Sequence, residues 1–281
     1  METLLKSKAY GGYQAVFRHA ARSTNCEMTF AVYLPPQRQT EKMPVLWYLS
    51  GLTCTHANVM EKGEYRRLAA EHGIIVVAPD TSPRGEMVPD EPNDWQFGCG
   101  AGFYVDATEV PYAHHYKMYS YVTEDLPALI ANKFPADMDR QGVFGHSMGG
   151  HGALVLALRN PGRFRSCSAF APIVEPGTAE FSRASFEKYL GPDPKRWRAY
   201  QATKLIEDGH RFPEILVHQG GDDNFLDGSL RPWLLERACA STTIKLKLNI
   251  KEGYDHSYYF VSTFMDDHMT WHADRLTNTN N

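Results

Sequence analysis

Three residue types at three separated places could together carry acyl-transfer chemistry. Residues 140–152 read Arg-Gln-Gly-Val-Phe-Gly-His-Ser-Met-Gly-Gly-His-Gly, which sets Gly145, Ser147 and Gly149 on a G-x-S-x-G pattern. In such an elbow a strand turns abruptly into a helix, and the apical serine is strained in a way that only small neighbours accommodate. The turn aims the hydroxyl above the sheet, and the helix N-terminus behind it gathers unpaired N–H groups that can hold an oxyanion. Ser147 is therefore the candidate nucleophile. A serine hydroxyl needs a base to take its proton, and the base needs an acid to hold it in one tautomer. His256, in Lys251-Glu-Gly-Tyr-Asp-His-Ser-Tyr258, is the candidate base, and Gln219-Gly-Gly-Asp-Asp-Asn-Phe-Leu226 offers two competing acids, Asp222 and Asp223.

Each of these residues has a plainer reading. A glycine-rich turn can carry an ordinary serine, and the chain holds 12 histidines, most of which must be structural. His218 ends an apolar run and reads as packed. His268 and His272 stand four apart on a helical stretch, a spacing that suits a metal only with further ligands, and no H-E-x-x-H or Cys/His cluster supplies them. Asp255 precedes His256 directly, so its side chain diverges from that imidazole, and Asp227 reads as a turn or capping residue. What favours catalysis is context: an apolar Gln141–Phe144 strand before the elbow and a helix-favouring Ala153–Leu158 run after it.

The elements that must position these groups alternate. Residues 13–20 and 27–34 read as two strands joined by a polar turn, and Pro44–Leu49 as an interior strand covered on both faces, emptying into Ser50-Gly-Leu-Thr-Cys54. A helix over 64–72 leads to a strand over 74–78, and a helix over 119–133 leads to the strand before the elbow. After the elbow come strands at 164–171, 214–218 and 244–251, with helices over 229–240 and 258–276, then a polar tail over 277–281. Two stretches break the rhythm: an irregular Pro-, Gly- and aromatic-rich segment over 80–113, read as functional or as a lid, and an excursion over 173–212. Alternating strands and helices with a nucleophile elbow near the middle predict an α/β-hydrolase fold: one domain over 1–281 with a mostly parallel central sheet and helices on both faces.

Bulk properties narrow the partners. The formal net charge is -4 with a pI near 6.3 and no basic run, which argues against nucleic acid and anionic membranes and for a small-molecule substrate. No stretch approaches the ~18 apolar residues of a membrane span. Five scattered cysteines without a C-x-x-C pair, and an N-terminal stretch lacking the apolar core of a secretory signal, point to a reduced, cytoplasmic protein.

Four separated segments, Leu49–Thr55, Asp94–Thr108, Gly145–Gly150 and Gly253–Tyr258, together resemble the S-formylglutathione hydrolases of the esterase D family. The resemblance implies hydrolysis of S-formylglutathione to glutathione and formate in formaldehyde detoxification, with side activity as a small-acyl carboxylesterase. It lays the catalytic acid on Asp223 and leaves Asp222 in a variable position. It also implies backbone N–H donors from Leu52 and Met148 as the oxyanion hole, and Cys54 as a thiol beside the site. Cys99 departs from the pattern, which has a small or hydroxylated residue there.

A formyl group is the smallest acyl group, so a short pocket could select it, with Trp95, Phe97 and Tyr258 as candidate walls beside Cys54; ordinary packing is the alternative for each aromatic. A thioester is already activated, so neither a cofactor nor a metal is expected, and a homodimer is compatible with the reading. The rival functions are a general carboxylesterase, an acyltransferase of the same fold, and a catalytically inactive binding module.

Overall fold

The computed structural model describes residues 1–36 and 42–277, so residues 278–281 of the expected polar tail lie outside the described residues. Among the described residues nine strands form one sheet: β1 (Glu2–Ala9), β2 (Gly12–Ala21), β3 (Cys26–Leu34), β4 (Met43–Leu49), β5 (Ile75–Pro79), β6 (Ala136–His146), β7 (Phe164–Phe170), β8 (Glu214–Gly220) and β9 (Lys245–Lys251). Their spatial order is β1-β2-β3-β5-β4-β6-β7-β8-β9. The pairings from β1 to β5 are antiparallel, and those from β5 through β9 are parallel. The α/β fold with a mostly parallel sheet is thus the observed one.

Every residue of β4 and of β5 is buried, as continuous apolar runs require when helices cover both faces of a parallel sheet. The two faces are visible on β7, where side chains alternate. Cys167 points its thiol at the carbonyl of Ala153 in the elbow helix Met148–Arg159, while Ser166 and Ser168 point at His272 of the last helix, Met265–Leu276.

From β4 the chain passes outward to β5, and from β6 it passes the other way to β7. The crevice at the C-terminal ends of β4 and β6 is therefore a topological switch point, where open α/β sheets place their sites.

Several elements differ from expectation for identifiable reasons. β1 was not expected, because Lys6, Ser7 and Lys8 give it no apolar face. It is held by ladder bonds to β2 across a turn in which Tyr10 and Gly11 both take positive φ, 46° and 77°, as a tight hairpin demands. A helix over His56–Lys62 was also missed; its N-terminus is closed by a capping box between Thr55 and Asn58, where the familiar signature has Glu or Gln. The expected final helix over 258–276 is two helices, Tyr258–Thr263 and Met265–Leu276, broken at Phe264.

The irregular stretch over 80–113 is not a loose lid. Phe97, Phe103, Tyr104 and Val105 in it are buried, and Gly98 N–H and Ala101 O bond the hydroxyl of Tyr189 from the 173–212 excursion. These two segments pack as one layer over the switch point.

Candidate active site

Ser147 sits at the apex between β6 and the elbow helix with φ 59° and ψ -118°. A non-glycine residue there is strained by ~1–3 kcal/mol, a cost met only where the surroundings leave no other choice. The surroundings are close: a Cβ on Gly149 would run into the carbonyl of Leu49, and one on Gly145 would meet Leu49 O at 2.5 Å. Ser147 N–H donates to Phe170 O at 2.9 Å, and its carbonyl accepts from His151 N–H at 2.9 Å, which pins the backbone on both sides. The hydroxyl makes no capping bond to the helix and stays available.

Asp223 follows β8 and is buried. Its Oδ2 accepts from His256 Nδ1 at 2.5 Å and from Gln219 Nε2 at 3.2 Å, and its Oδ1 accepts from Phe225 N–H at 2.8 Å. Asp222 is exposed, with its backbone N–H on Tyr254 O. Asp255 is exposed and bonds Ser257, so it turns away from the imidazole that follows it. His256 lies between the ring of His146, 4.5 Å away, and the edge of Phe225 at 5.0 Å. The bond to Asp223 leaves Nε2 as the nitrogen free to face the cavity. Among the described residues no hydrogen bond joins Ser147 Oγ to His256; the two line one cavity of about 260 Å³. Catalytic bonds of this kind commonly tighten only once substrate is bound.

The loop after β4 forms the opposite rim. Tyr104 OH donates to Ser50 O at 2.9 Å, Thr53 N–H to Gly100 O at 2.9 Å and Cys54 N–H to Gly51 O at 3.3 Å. Among the described residues Leu52 N–H has no backbone acceptor, and Met148 is the first residue of the elbow helix, where N–H groups lack intrahelical partners. Cys54 lines the cavity, and burial raises its thiol pKa above the ordinary value.

Of the expected pocket residues, Trp95 and Tyr258 line the cavity, Trp95 against Phe181 at 5.5 Å and Tyr258 with its hydroxyl 3.2 Å from Tyr48 OH. Phe97 does not. It is buried beneath the surface layer against Tyr189 at 4.4 Å and Tyr112 at 4.6 Å, because the turn over 94–98 directs it inward, and its part is packing. Cys99 lies outside the cavity lining; its N–H donates to Asp90 Oδ1 at 2.7 Å, and burial pushes its thiol up to about 11.

Four neighbours were missed. Phe225 and Gln219 stand inside the stretch that carries Asp223, and His146 is the variable residue of the elbow, so each was adjacent to a recognised signal. Phe181 comes from the excursion and carried none. His146 is buried with no hydrogen-bond partner on either nitrogen among the described residues, and burial, seconded by the neighbouring His256, holds its pKa well below the ordinary value.

A second serine–histidine cluster lies between the sheet and the last helix. Ser166 Oγ is 2.6 Å from His272 Nδ1, His272 Nε2 is 2.8 Å from Ser168 Oγ, and Ser168 Oγ is 2.7 Å from His268 Nδ1. His218 packs against His268 at 4.8 Å and against Phe264 at 5.3 Å. No group of three or more His, Cys, Asp or Glu residues is arranged to hold a metal among the described residues. No helix there is long and apolar enough to cross a membrane.

Residues 21–272 match the family described as "Putative esterase". The chain is 50% identical over 279 residues to the S-formylglutathione hydrolase of Mus musculus, covering 98% of this chain and 99% of that protein. It is likewise 50% identical over 275 residues to the S-formylglutathione hydrolase of Paracoccus denitrificans, with 98% of each covered. Among solved structures, an S-formylglutathione hydrolase from Agrobacterium tumefaciens superimposes with a TM-score of 0.97 at 62% identity, covering 98% of this chain and 100% of that one.

Proposed function

The chain belongs to the S-formylglutathione hydrolase family, and on that premise we propose that it hydrolyses S-formylglutathione to glutathione and formate through Ser147, His256 and Asp223. The observation that carries the reading is the 2.5 Å bond from His256 Nδ1 to buried Asp223, made at the wall of the cavity that Ser147 enters from a strained elbow.

In the first step His256 Nε2 takes the Ser147 proton as Oγ adds to the formyl carbon. The carbonyl electrons move onto oxygen, and the N–H groups of Leu52 and Met148 receive the oxyanion. Collapse of the tetrahedral species breaks the C–S bond; the imidazolium returns its proton to the departing thiolate, leaving glutathione and a formyl-serine. Water then adds to that ester as His256 takes its proton, and the second collapse breaks the C–O bond, releasing formate and restoring the Ser147 hydroxyl. Asp223 keeps its negative charge throughout and stabilises the imidazolium each time it forms. Backbone donors aimed at the developing oxyanion are typically worth a factor of about 10²–10³ each.

Trp95, Tyr258 and Phe181 wall a space of about 260 Å³, which suits a small acyl group on sulfur. We further place the protein in the cytoplasm in support of formaldehyde detoxification. All five cysteines are unpaired, as suits a reducing compartment.

The test is kcat/KM for S-formylglutathione measured beside S-lactoylglutathione and a nitrophenyl acetate. A clear preference for the formyl thioester is expected. A preference for the simple ester would make this a general carboxylesterase.

A further inference from the structure

Among the described residues the cavity around Ser147 has no Lys, Arg, Asp or Glu in its lining. A glutathione thioester carries a zwitterionic γ-glutamyl head and a glycyl carboxylate, and burying any of these unpaired is costly. The peptide spans about 10 Å when extended, so with its sulfur at Ser147 the charged ends must reach beyond that lining.

A groove beside the cavity shares part of its lining. It has a volume of about 440 Å³ and is lined by Ser257 and Tyr258, which also line the cavity, and by Lys62, Glu64 and Tyr259. Lys62 and Glu64 are exposed, and among the described residues neither makes an ion pair or a side-chain hydrogen bond. Burial raises the Cys54 thiol, and the backbone bond to Gly51 and then the charge of Lys62 act against that rise. Glu64 holds φ at 56°, in the left-handed region that a side chain rarely adopts, one residue beyond the Gly63 cap of the helix that ends at Lys62. Strain of this sort persists where the fold fixes a side chain's direction. Tyr259 is 85% exposed and offers the groove a ring that the core does not use.

We propose that this groove binds the γ-glutamyl zwitterion of the substrate, with Lys62 receiving the α-carboxylate and Glu64 the α-ammonium. Opposite charges two residues apart match a head group whose own charges share one carbon, and a simple ester has no counterpart to them. The proposal rests on the glutathione thioester reading above.

The test reads the ratio of kcat/KM for S-formylglutathione to that for a nitrophenyl acetate in the wild type, Lys62→Glu and Glu64→Lys. Each reversal turns one attraction into a repulsion, and the ratio is expected to fall about 10-fold, mainly through KM of the thioester. A thioester of deaminated glutathione, which lacks the α-ammonium, should lose most of its sensitivity to Glu64→Lys while still responding to Lys62→Glu. Ratios unchanged in both variants, beside a wild type active on S-formylglutathione, would overturn the groove and leave the activity standing. A wild type that hydrolyses only the nitrophenyl ester would overturn the activity and the groove together.

Discussion

Two serine–histidine clusters are built on neighbouring strands of the same sheet, and they part company in everything except composition. In the buried cluster the serine-to-imidazole distances are short, 2.6 to 2.8 Å, yet among the described residues no acid closes on His272 or His268, and Phe144 and Phe170 pack against the rings. At the elbow, Ser147 has no bond to His256, but a buried carboxylate orients the imidazole and a cavity reaches the hydroxyl. A serine beside a histidine is common packing. What makes a nucleophile is strain that presents it, an acid behind its base and room for a carbonyl in front.

The sharpest way to break that contrast is to remove each serine. Ser147→Ala should lower kcat by ~10⁶-fold and abolish labelling by a fluorophosphonate, because the covalent intermediate has nowhere to form. Ser168→Ala should leave labelling intact. Its cost is in stability: with the hydroxyl gone, His272 Nε2 and His268 Nδ1 both lose their partner, a change worth ~1–3 kcal/mol. Labelling that followed Ser168 instead of Ser147 would reverse the assignment of the two clusters.

The acids come next in size. Asp223→Asn should cost ~10⁴-fold in kcat, since an amide no longer holds His256 in the tautomer that accepts from serine. Asp222→Asn, on an exposed side chain one residue away, should stay within about twofold, as exposed charges contribute little. Equal losses in the two variants, measured as kcat on the thioester, would deny Asp223 its part.

The buried cluster should announce itself in acid rather than in turnover. Burial lowers His272 to about 3 and His218 to about 4, and holds His268 well below its ordinary value. In the unfolded chain each returns to about 6.5. Between roughly pH 6.5 and 4 the unfolded state therefore binds more protons than the folded one. The contribution of these histidines to stability is complete above pH 6.5 and is lost as pH falls, by up to ~1.4 kcal/mol per pH unit for each. Urea midpoints from pH 7 to 4.5 should show a steeper acid decline in the wild type than in His272→Gln. Parallel declines would mean that His272 does not titrate on unfolding.

The sequence reading reached the fold through features that are local in the chain: continuous apolar runs for β4 and β5, and glycines crowding the elbow. It could name Ser147 and His256, and narrow the acid to Asp222 or Asp223, because the order of elements constrains where each must fall; the choice of Asp223 came only from the family resemblance. It missed β1, whose pairing owes nothing to an apolar face, and the helix over His56–Lys62, which is capped by an asparagine. It misjudged Phe97, since two aromatics two residues apart on an irregular turn, Trp95 and Phe97, look alike until the backbone sends one outward and the other in. Phe181 was illegible for a plainer reason: nothing in its own neighbourhood points across 34 residues to the elbow.

Cys54 supplies the smallest effect and completes the contrast. The buried serines have a base but no access; Cys54 has access, lining the cavity with Ser147, but no base. Among the described residues its thiol makes no hydrogen bond to a histidine, and burial raises its pKa, so at neutral pH it is a neutral thiol and a poor nucleophile. Ser147 combines access with a base that a buried carboxylate orients. Cys54→Ser replaces that thiol with a hydroxyl of similar size and should keep kcat/KM for S-formylglutathione within about threefold, with alkylation of the wild-type thiol slow at pH 7 and faster as pH rises. A loss approaching that of Ser147→Ala would show that the thiol takes part in the reaction, and that access without a base is sufficient in this cavity.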